Sequence, residues 1–302
     1  MQRIVIALCL ALATLGFPRL ARADLEVVAT VPTLAAIAKS IGGEHVSVTS
    51  LALPTQDPHF VDAKPSLAIK LNKADLLLVV GLQLEMGWLP PLQTGARNSK
   101  IQVGAEGYLD CSLVAKLMGV PTNVDRSQGD IHPGGNPHYL YDPRQIEQVA
   151  VAIAGRMSEL DGDQATSYKQ NLKAFLKKLH SLRQKLEKKL APHRGATVIG
   201  YHRSWIYVAD WLGLEQVAFL EPKPGIPPNP GHVAKVLVKA RQAKVKAILE
   251  ETYYPDTTAK LVAEKSGAKL VTLAGGVDFA GGEDVFGYLT KLADALDRGL
   301  SR

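Results

Sequence analysis

Cysteine is nearly absent from this chain, whose 302 residues include only Cys9 and Cys111. Cys9 lies in an N-terminal segment that the sequence predicts to be removed, so the mature protein keeps a single thiol. One thiol cannot form an internal disulfide, so the fold must be held together by its apolar core. The remaining length suits one large or two medium domains, each able to bury such a core.

Long apolar runs are scarce as well, and the one at the N-terminus is short. Residues 4–17 are apolar, follow the positively charged Arg3, and precede a small-x-small cleavage pattern that ends at Ala23. A membrane span needs about 20 such residues. The pattern therefore predicts a secretory signal peptide over residues 1–23 and a periplasmic mature chain that begins at Asp24. Its cysteine does not follow the small residues of a lipoprotein signal, so no lipid anchor is expected.

Charge of one sign is not in large excess. Lysine and arginine exceed the acidic residues by +6, and removal of the signal peptide takes away three arginines and no acid, which leaves +3. Basic and aromatic residues do not cluster in one stripe, so nucleic acid is not expected as a partner. The lysines of the stretch 173–189 are interleaved with leucines, which indicates the solvated face of a helix.

Apolar, β-branched segments alternate with helical ones along most of the chain, which predicts an α/β fold. Strands this apolar indicate mostly parallel sheets flanked by helices on both faces. The strands are predicted at residues 25–30, 46–53, 76–80, 100–103, 196–200, 216–220, 245–249 and 270–273.

One long amphipathic stretch separates the two halves of this pattern. A helix over residues 164–191 would extend about 40 Å at 1.5 Å per residue, enough to run along two lobes. The sequence therefore predicts an N-terminal lobe over residues 24–160, one long linking helix over residues 161–192, and a C-terminal lobe over residues 193–302.

Three well-separated histidines suggest one metal site. His138 is held between two prolines in the segment Asn-Pro-His-Tyr-Leu-Tyr-Asp-Pro, in which Asp142 is the predicted N-cap of the next helix. His59 follows Asp-Pro, and His202 follows the strand at residues 196–200. Ligands of open α/β sheets gather beyond the carboxyl ends of the strands. A mostly nitrogen shell favours zinc over calcium or magnesium, and manganese remains an alternative if carboxylates contribute.

The remaining histidines and the aromatic residues have simpler interpretations. His132, before a Pro-Gly-Gly sequence, is expected to be a loop residue, with an accessory ligand as the alternative. The other histidines are expected at the surface: His45, His180, His193 and His232. Core packing is the expected role of four aromatic residues that could instead line a pocket: Tyr139, Tyr141, Trp205 and Trp211.

With these motifs in their order, the mature chain resembles the zinc and manganese solute-binding proteins of bacterial ABC importers. The resemblance implies two lobes joined by a rigid helix, one metal in the cleft, and delivery to a membrane permease. It also implies that His59, His138 and His202 ligate the metal. The chain departs from the family pattern at the fourth ligand, where Asp278 comes slightly late. Glu251, at a strand end, is a competing candidate that we favour, and water is the third alternative. The histidine-rich loop of many zinc-specific members is missing, which keeps manganese open.

The sequence thus predicts a monomeric periplasmic zinc-binding protein, rather than an enzyme, that serves an ABC importer. A manganese carrier is the first alternative. A zinc-dependent hydrolase would use Glu250 or Glu251 as its base, but the chain contains no His-Glu-x-x-His motif. An adhesin whose fold is stabilised by a metal is the third alternative.

Overall fold

The computed structural model describes residues 24–125 and 129–301; the predicted signal peptide lies outside them. Eight strands are present in this part of the chain: β1 Leu25–Ala29, β2 Val46–Ser50, β3 Leu76–Val79, β4 Tyr108–Asp110, β5 Thr197–Gly200, β6 Glu215–Phe219, β7 Ala247–Glu251 and β8 Lys269–Leu273. They form two parallel sheets of four strands, ordered β2-β1-β3-β4 and β6-β5-β7-β8. The predicted α/β fold of two mostly parallel sheets is confirmed.

Nine α-helices connect and cover these sheets in the described residues: α1 Pro32–Gly42, α2 Pro65–Lys73, α3 Leu89–Ala96, α4 Pro143–Leu160, α5 Ala165–Leu190, α6 Ile206–Leu212, α7 Pro230–Gln242, α8 Thr257–Ser266 and α9 Val285–Leu300. None of them combines the length and apolarity that crossing a bilayer would need. Asp142 caps α4 as predicted, because its side chain accepts from the backbone N–H of Arg144 at 2.8 Å.

The long helix predicted between the lobes is α5, which spans 26 residues. Its apolar stripe packs against α1 and α4 of the first lobe and against α9 of the second. Tyr168, Phe175 and Leu186 of this stripe belong to one core cluster that also includes residues of β1 and β7. Because a single core runs through both lobes along α5, this helix holds them together.

The fourth strand lies later in the chain than predicted. Residues 100–103 were expected to form it, but Ser99–Ile101 is a 3₁₀ turn and Val103 is 77% exposed. The backbone turns at Gly104, whose φ is +87°, and returns to pair β4 with β3. Polar and apolar residues alternate at 100–103, but of the two apolar residues only Ile101 enters the core, so the pattern predicted a strand wrongly.

Strand β7 also differs from the prediction, by two residues. It was expected over residues 245–249, but pairing with β8 continues through Glu250 and Glu251, which lie opposite Thr272 and Leu273. The two glutamates are therefore the end of a buried strand. They are not an acidic pair at a helix start, because α8 begins six residues after Glu251, at Thr257.

Candidate metal centre

His59 is held in place by the turn that follows β2. The backbone N–H of His59 donates to Asp57 Oδ1 at 2.9 Å, and its ring Nδ1 lies 2.7 Å from the same oxygen. Trp88 donates from its indole nitrogen to the carbonyl of Pro58 at 2.9 Å and so fixes the neighbouring backbone. Since a carboxylate can only accept, the His59 Nδ1 carries the proton and Nε2 is free to bind a metal.

His138 begins a 3₁₀ turn, His138–Tyr141, that leads into α4. Its backbone N–H donates to the Asn136 side-chain oxygen at 2.9 Å. The Asn136 amide in turn donates to the carbonyl of Arg203, at 2.9 Å, in the other lobe. The His138 Nε2 is buried and has no hydrogen-bond partner. This asparagine therefore ties the His138 turn directly to the loop that carries His202.

His202 follows β5, as predicted, and is buried. Its Nδ1 lies 2.6 Å from Glu221 Oε2, and Glu221 stands just beyond the end of β6. The Glu221 carboxylate also accepts from the backbone N–H of Gly225, at 3.3 Å. A carboxylate placed behind a metal-binding histidine selects the tautomer and orients the ring, and Glu221 is suited to that role. Sequence reasoning missed it, although its position directly after a strand was the available signal.

The three histidines meet between the lobes. One ligand atom from each of His59, His138 and His202 lies within 4.8 Å of the other two, and all three residues are buried. Their ring centroids are 5.2–5.3 Å apart. A cleft of about 260 Å³ reaches His59 and His202 from the side of Tyr254 and Pro227. The structure therefore brings together the three histidines that the sequence had proposed.

Burial and neighbouring charges favour a neutral ring at His138. Burial lowers the pKa of His138 well below its ordinary value, and the nearby His202 and His59 lower it further. Burial raises the pKa of Asp57, but the hydrogen bonds and charge of His59 outweigh this effect and bring it below the ordinary value. An ionised Asp57 behind His59 and a neutral His138 suit a cation site, because histidine binds metals in its neutral form.

His132 lies beside the same cluster. The sequence predicted a loop residue at this position and an accessory metal ligand only as the alternative. Its Nε2 is 3.3 Å from Nε2 of His59, and its Nδ1 is 2.8 Å from the carbonyl oxygen of Leu82. Burial and the neighbouring His59 lower the pKa of His132 to about 4. The backbone hydrogen bond shows that this histidine is a positioned residue.

The two candidate carboxylates for the fourth position have different surroundings. Neither belongs to the group of ligand atoms found within 4.8 Å of one another in residues 24–125 and 129–301. Asp278 is exposed in a turn, where its side chain accepts from the backbone N–H of Gly281 at 3.1 Å. Glu251 is fully buried, and neither of its carboxylate oxygens has a hydrogen-bond partner.

Burial also sets the protonation of the two strand-end glutamates. It raises the pKa of Glu251 to about 8, although the nearby Ser204 hydroxyl partly counters this without completing a hydrogen bond. Burial raises the pKa of Glu250 to about 7, with the charge of Asp256 adding to the effect. Glu251 is therefore largely protonated at neutral pH when no metal is bound.

The four aromatic residues lie in the core as expected, but the prediction that His193 is a surface residue is wrong. Tyr139, Tyr141, Trp205 and Trp211 are buried in the core, and the rings of Tyr141 and Trp205 stack with centroids 4.8 Å apart. His180 is 47% exposed beside Glu147, whereas His193 is only 12% exposed and lies 2.8 Å from Asp297. None of these residues joins the histidine cluster.

Replacing Glu221 tests the carboxylate behind His202. We expect Glu221→Gln to weaken zinc binding by roughly 10–100-fold, since the partner that orients the ring and raises its basicity loses its charge. Titration against a chromophoric zinc chelator measures the change. Glu215→Gln, an exposed position on β6, serves as the matched control and should bind like the parent. Equal affinities for both variants would show that Glu221 is only a structural residue.

Comparisons with known proteins show which family and which fold this chain resembles. Residues 27–299 match the family model described as "Zinc-uptake complex component A periplasmic". A manganese ABC transporter substrate-binding lipoprotein, scaA of Streptococcus gordonii, is 24% identical over 92% of this chain and 89% of its own length. The crystal structure of ZnuA aligns over 92% of this chain and 100% of its own, with 24% identity and a TM-score of 0.78. The solute-binding protein FpvC of P. aeruginosa, solved with Ni²⁺, aligns over 92% and 97%, with 20% identity and a TM-score of 0.77.

Proposed function

Because this chain belongs to the family of periplasmic zinc-uptake components, we propose that it captures zinc ions and delivers them to the membrane permease of an ABC importer. The bound ion is cargo that must later be released. The family is a substrate-binding component of a transporter, which argues against the hydrolase alternative. The predicted signal peptide and the family description, which names a periplasmic component, support a periplasmic location.

The observation that carries this proposal is the meeting of three imidazoles at the interface between two lobes. His59 and His138 come from the first lobe and His202 from the second, so one ion would be held by both. Two carboxylates close to the rings, Asp57 and Glu221, are engaged with the Nδ1 atoms of His59 and His202. The cluster therefore presents nitrogen to the ion, and nitrogen donors suit zinc better than they suit manganese.

Zinc-dependent thermal stability tests the proposal. A metal that binds only the folded state and is present at 100 times its dissociation constant adds about 2.7 kcal/mol to the free energy of unfolding. We expect the midpoint of thermal unfolding to rise by several degrees with zinc, and native mass spectrometry to find one zinc per chain. Identical melts with and without zinc, in protein shown to be metal-free at the start, would refute zinc binding.

Manganese is the second candidate, and one observation favours it. Relatives that are 23–24% identical are described as manganese transporter proteins. The buried carboxylate of Glu251 would provide the oxygen donor that manganese prefers, if it reached the ion. Competition in vitro does not distinguish the candidates, because most sites bind zinc more tightly than manganese. The metal recovered with the protein purified from the periplasm does. We expect zinc in this preparation, whereas recovered manganese would favour the second candidate.

A further inference from the structure

His132 and His59 face each other through their Nε2 atoms. The Nδ1 of His132 faces the Leu82 carbonyl oxygen at 2.8 Å, and the Nδ1 of His59 faces the Asp57 carboxylate at 2.7 Å. Both partners only accept hydrogen bonds, so each Nδ1 carries its ring's proton. In the neutral form that binds metals, the two Nε2 atoms, 3.3 Å apart, therefore present lone pairs to each other. A cation between them would be bound by both lone pairs.

The same distance is the one that a tetrahedral metal site requires. Zinc binds imidazole nitrogen at about 2.0–2.1 Å, and the edge between two ligands of a regular tetrahedron is then about 3.3–3.4 Å. The observed separation of 3.3 Å between the Nε2 atoms of His132 and His59 matches this edge. The ring centroids of the pair, 5.4 Å apart, are spaced like those of the three clustered histidines.

None of the neighbouring carboxylates occupies the fourth ligand position of this site. Asp278 is exposed and bound to the backbone of its own turn. Glu251 is buried but lies outside the group of ligand atoms within 4.8 Å of one another. Asp57 and Glu221 are already bonded to the Nδ1 atoms of His59 and His202. A nitrogen donor that faces His59 is better placed than any of these oxygens.

We propose that His132 is the fourth ligand of the zinc ion, completing an all-histidine site with His59, His138 and His202. This inference rests on the proposed function, because it concerns the same ion. His132 lies outside the group of three in the structure, so its ring moves closer to the other two histidines when the ion enters. The carbonyl of Leu82 keeps the required tautomer during this approach.

The test compares His132→Ala with the parent and with His180→Ala, an exposed histidine far from the cluster. Zinc affinity is measured by chelator competition, and the number of bound imidazoles is counted from the multiple-scattering features of zinc X-ray absorption. We expect the parent and His180→Ala to show four imidazoles. His132→Ala should still bind one zinc, but about 10²-fold more weakly and with three imidazoles and an oxygen. Melting of the apo proteins verifies that all three are folded.

The other possible results separate failure of the fourth-ligand proposal from failure of the proposed function. If the parent binds zinc through three imidazoles and His132→Ala matches it, the fourth-ligand proposal is overturned while the proposed function stands. Weaker binding by His132→Ala with an unchanged absorption spectrum would make His132 a positioning residue and would also overturn the proposal. A loss of the oxygen donor in Glu251→Gln would assign the fourth position to Glu251. A parent that binds no zinc would instead contradict the proposed function.

Discussion

Replacing any one of the three clustered histidines with alanine is expected to reduce zinc affinity by about 10²–10³-fold. Structural zinc sites bind with roughly 10–16 kcal/mol, so an equal share among four ligands is about 2.5–4 kcal/mol for each. Water in the vacated position recovers part of this loss, but it is a weaker donor than imidazole. The prediction covers His59→Ala, His138→Ala and His202→Ala, each measured by competition with a chelator of known affinity.

Structural damage must be separated from the loss of a ligand in these variants. His232→Ala provides a matched control, because this histidine is also partly buried and bonds the carbonyl of Phe219, yet it lies outside the cluster. Apo His138→Ala should melt closest to the parent, since the His138 Nε2 has no hydrogen-bond partner to lose. Apo His59→Ala and His202→Ala each leave a carboxylate without its ring partner and should melt at lower temperatures. Parent-like zinc binding by any two of the three alanine variants would exclude this site as the place where zinc binds.

Replacing Glu251 with glutamine is expected to stabilise the metal-free protein at neutral pH. Burial raises the pKa of Glu251 in the folded state to about 8 from an ordinary value of 4.5. At pH 7 the folded state therefore takes up a proton that the unfolded state does not hold, which costs on the order of 3 kcal/mol. Glutamine has nearly the same shape and no proton to take up, so the melting temperature should rise by several degrees.

The pH dependence fixes the sign of this effect. Because the folded-state pKa is raised, the contribution of Glu251 to stability is fully present below about pH 4.5 and is lost as the pH rises to about 8. The advantage of Glu251→Gln should therefore be absent near pH 4.5 and largest near pH 8. Glu264→Gln, at a side chain that is 72% exposed, should show no such trend. An advantage that is equal at both pH values would mean that packing, rather than protonation, distinguishes the variant.

These two expectations assign different roles to residues that the sequence had grouped together. We expect the histidine rings to bind the ion, whereas the buried carboxylate of Glu251 lies outside their group of ligand atoms and has no hydrogen bond. If His132 completes the site, Glu251→Gln should alter the stability of the apo protein while leaving zinc affinity close to that of the parent. Both properties can be measured on the same sample.

Several features of this protein follow from local sequence alone. Apolar β-branched runs alternating with helical ones predicted two parallel sheets, and the leucine stripe predicted the long helix within one residue of its observed ends. Asp142, followed by proline, predicted the start of α4, because capping and proline geometry act over a few neighbouring residues. Local patterns of this kind depend on periodicity and backbone preference, which a sequence contains directly.

Other features depended on contacts between distant parts of the chain. The sequence proposed His59, His138 and His202 as ligands, but only the packing of the two lobes brings their nitrogens within 4.8 Å. It placed the fourth strand at residues 100–103, where one buried isoleucine and a turn at Gly104 decide otherwise. Pairing with a neighbouring strand also extended β7 to include Glu251.

The residues around the site show most clearly the difference between what local sequence predicts and what tertiary contacts decide. Glu221 is 19 residues from His202 in sequence, and His132 is 73 residues from His59, yet each pair is in direct contact. Neither pair leaves a local pattern, because the spacing between contacting residues depends on how the strands and loops assemble. The residue types that can bind zinc were determined by the sequence. Which of them face one another was decided by tertiary packing, since burial in a shared core selects a single arrangement of the two lobes.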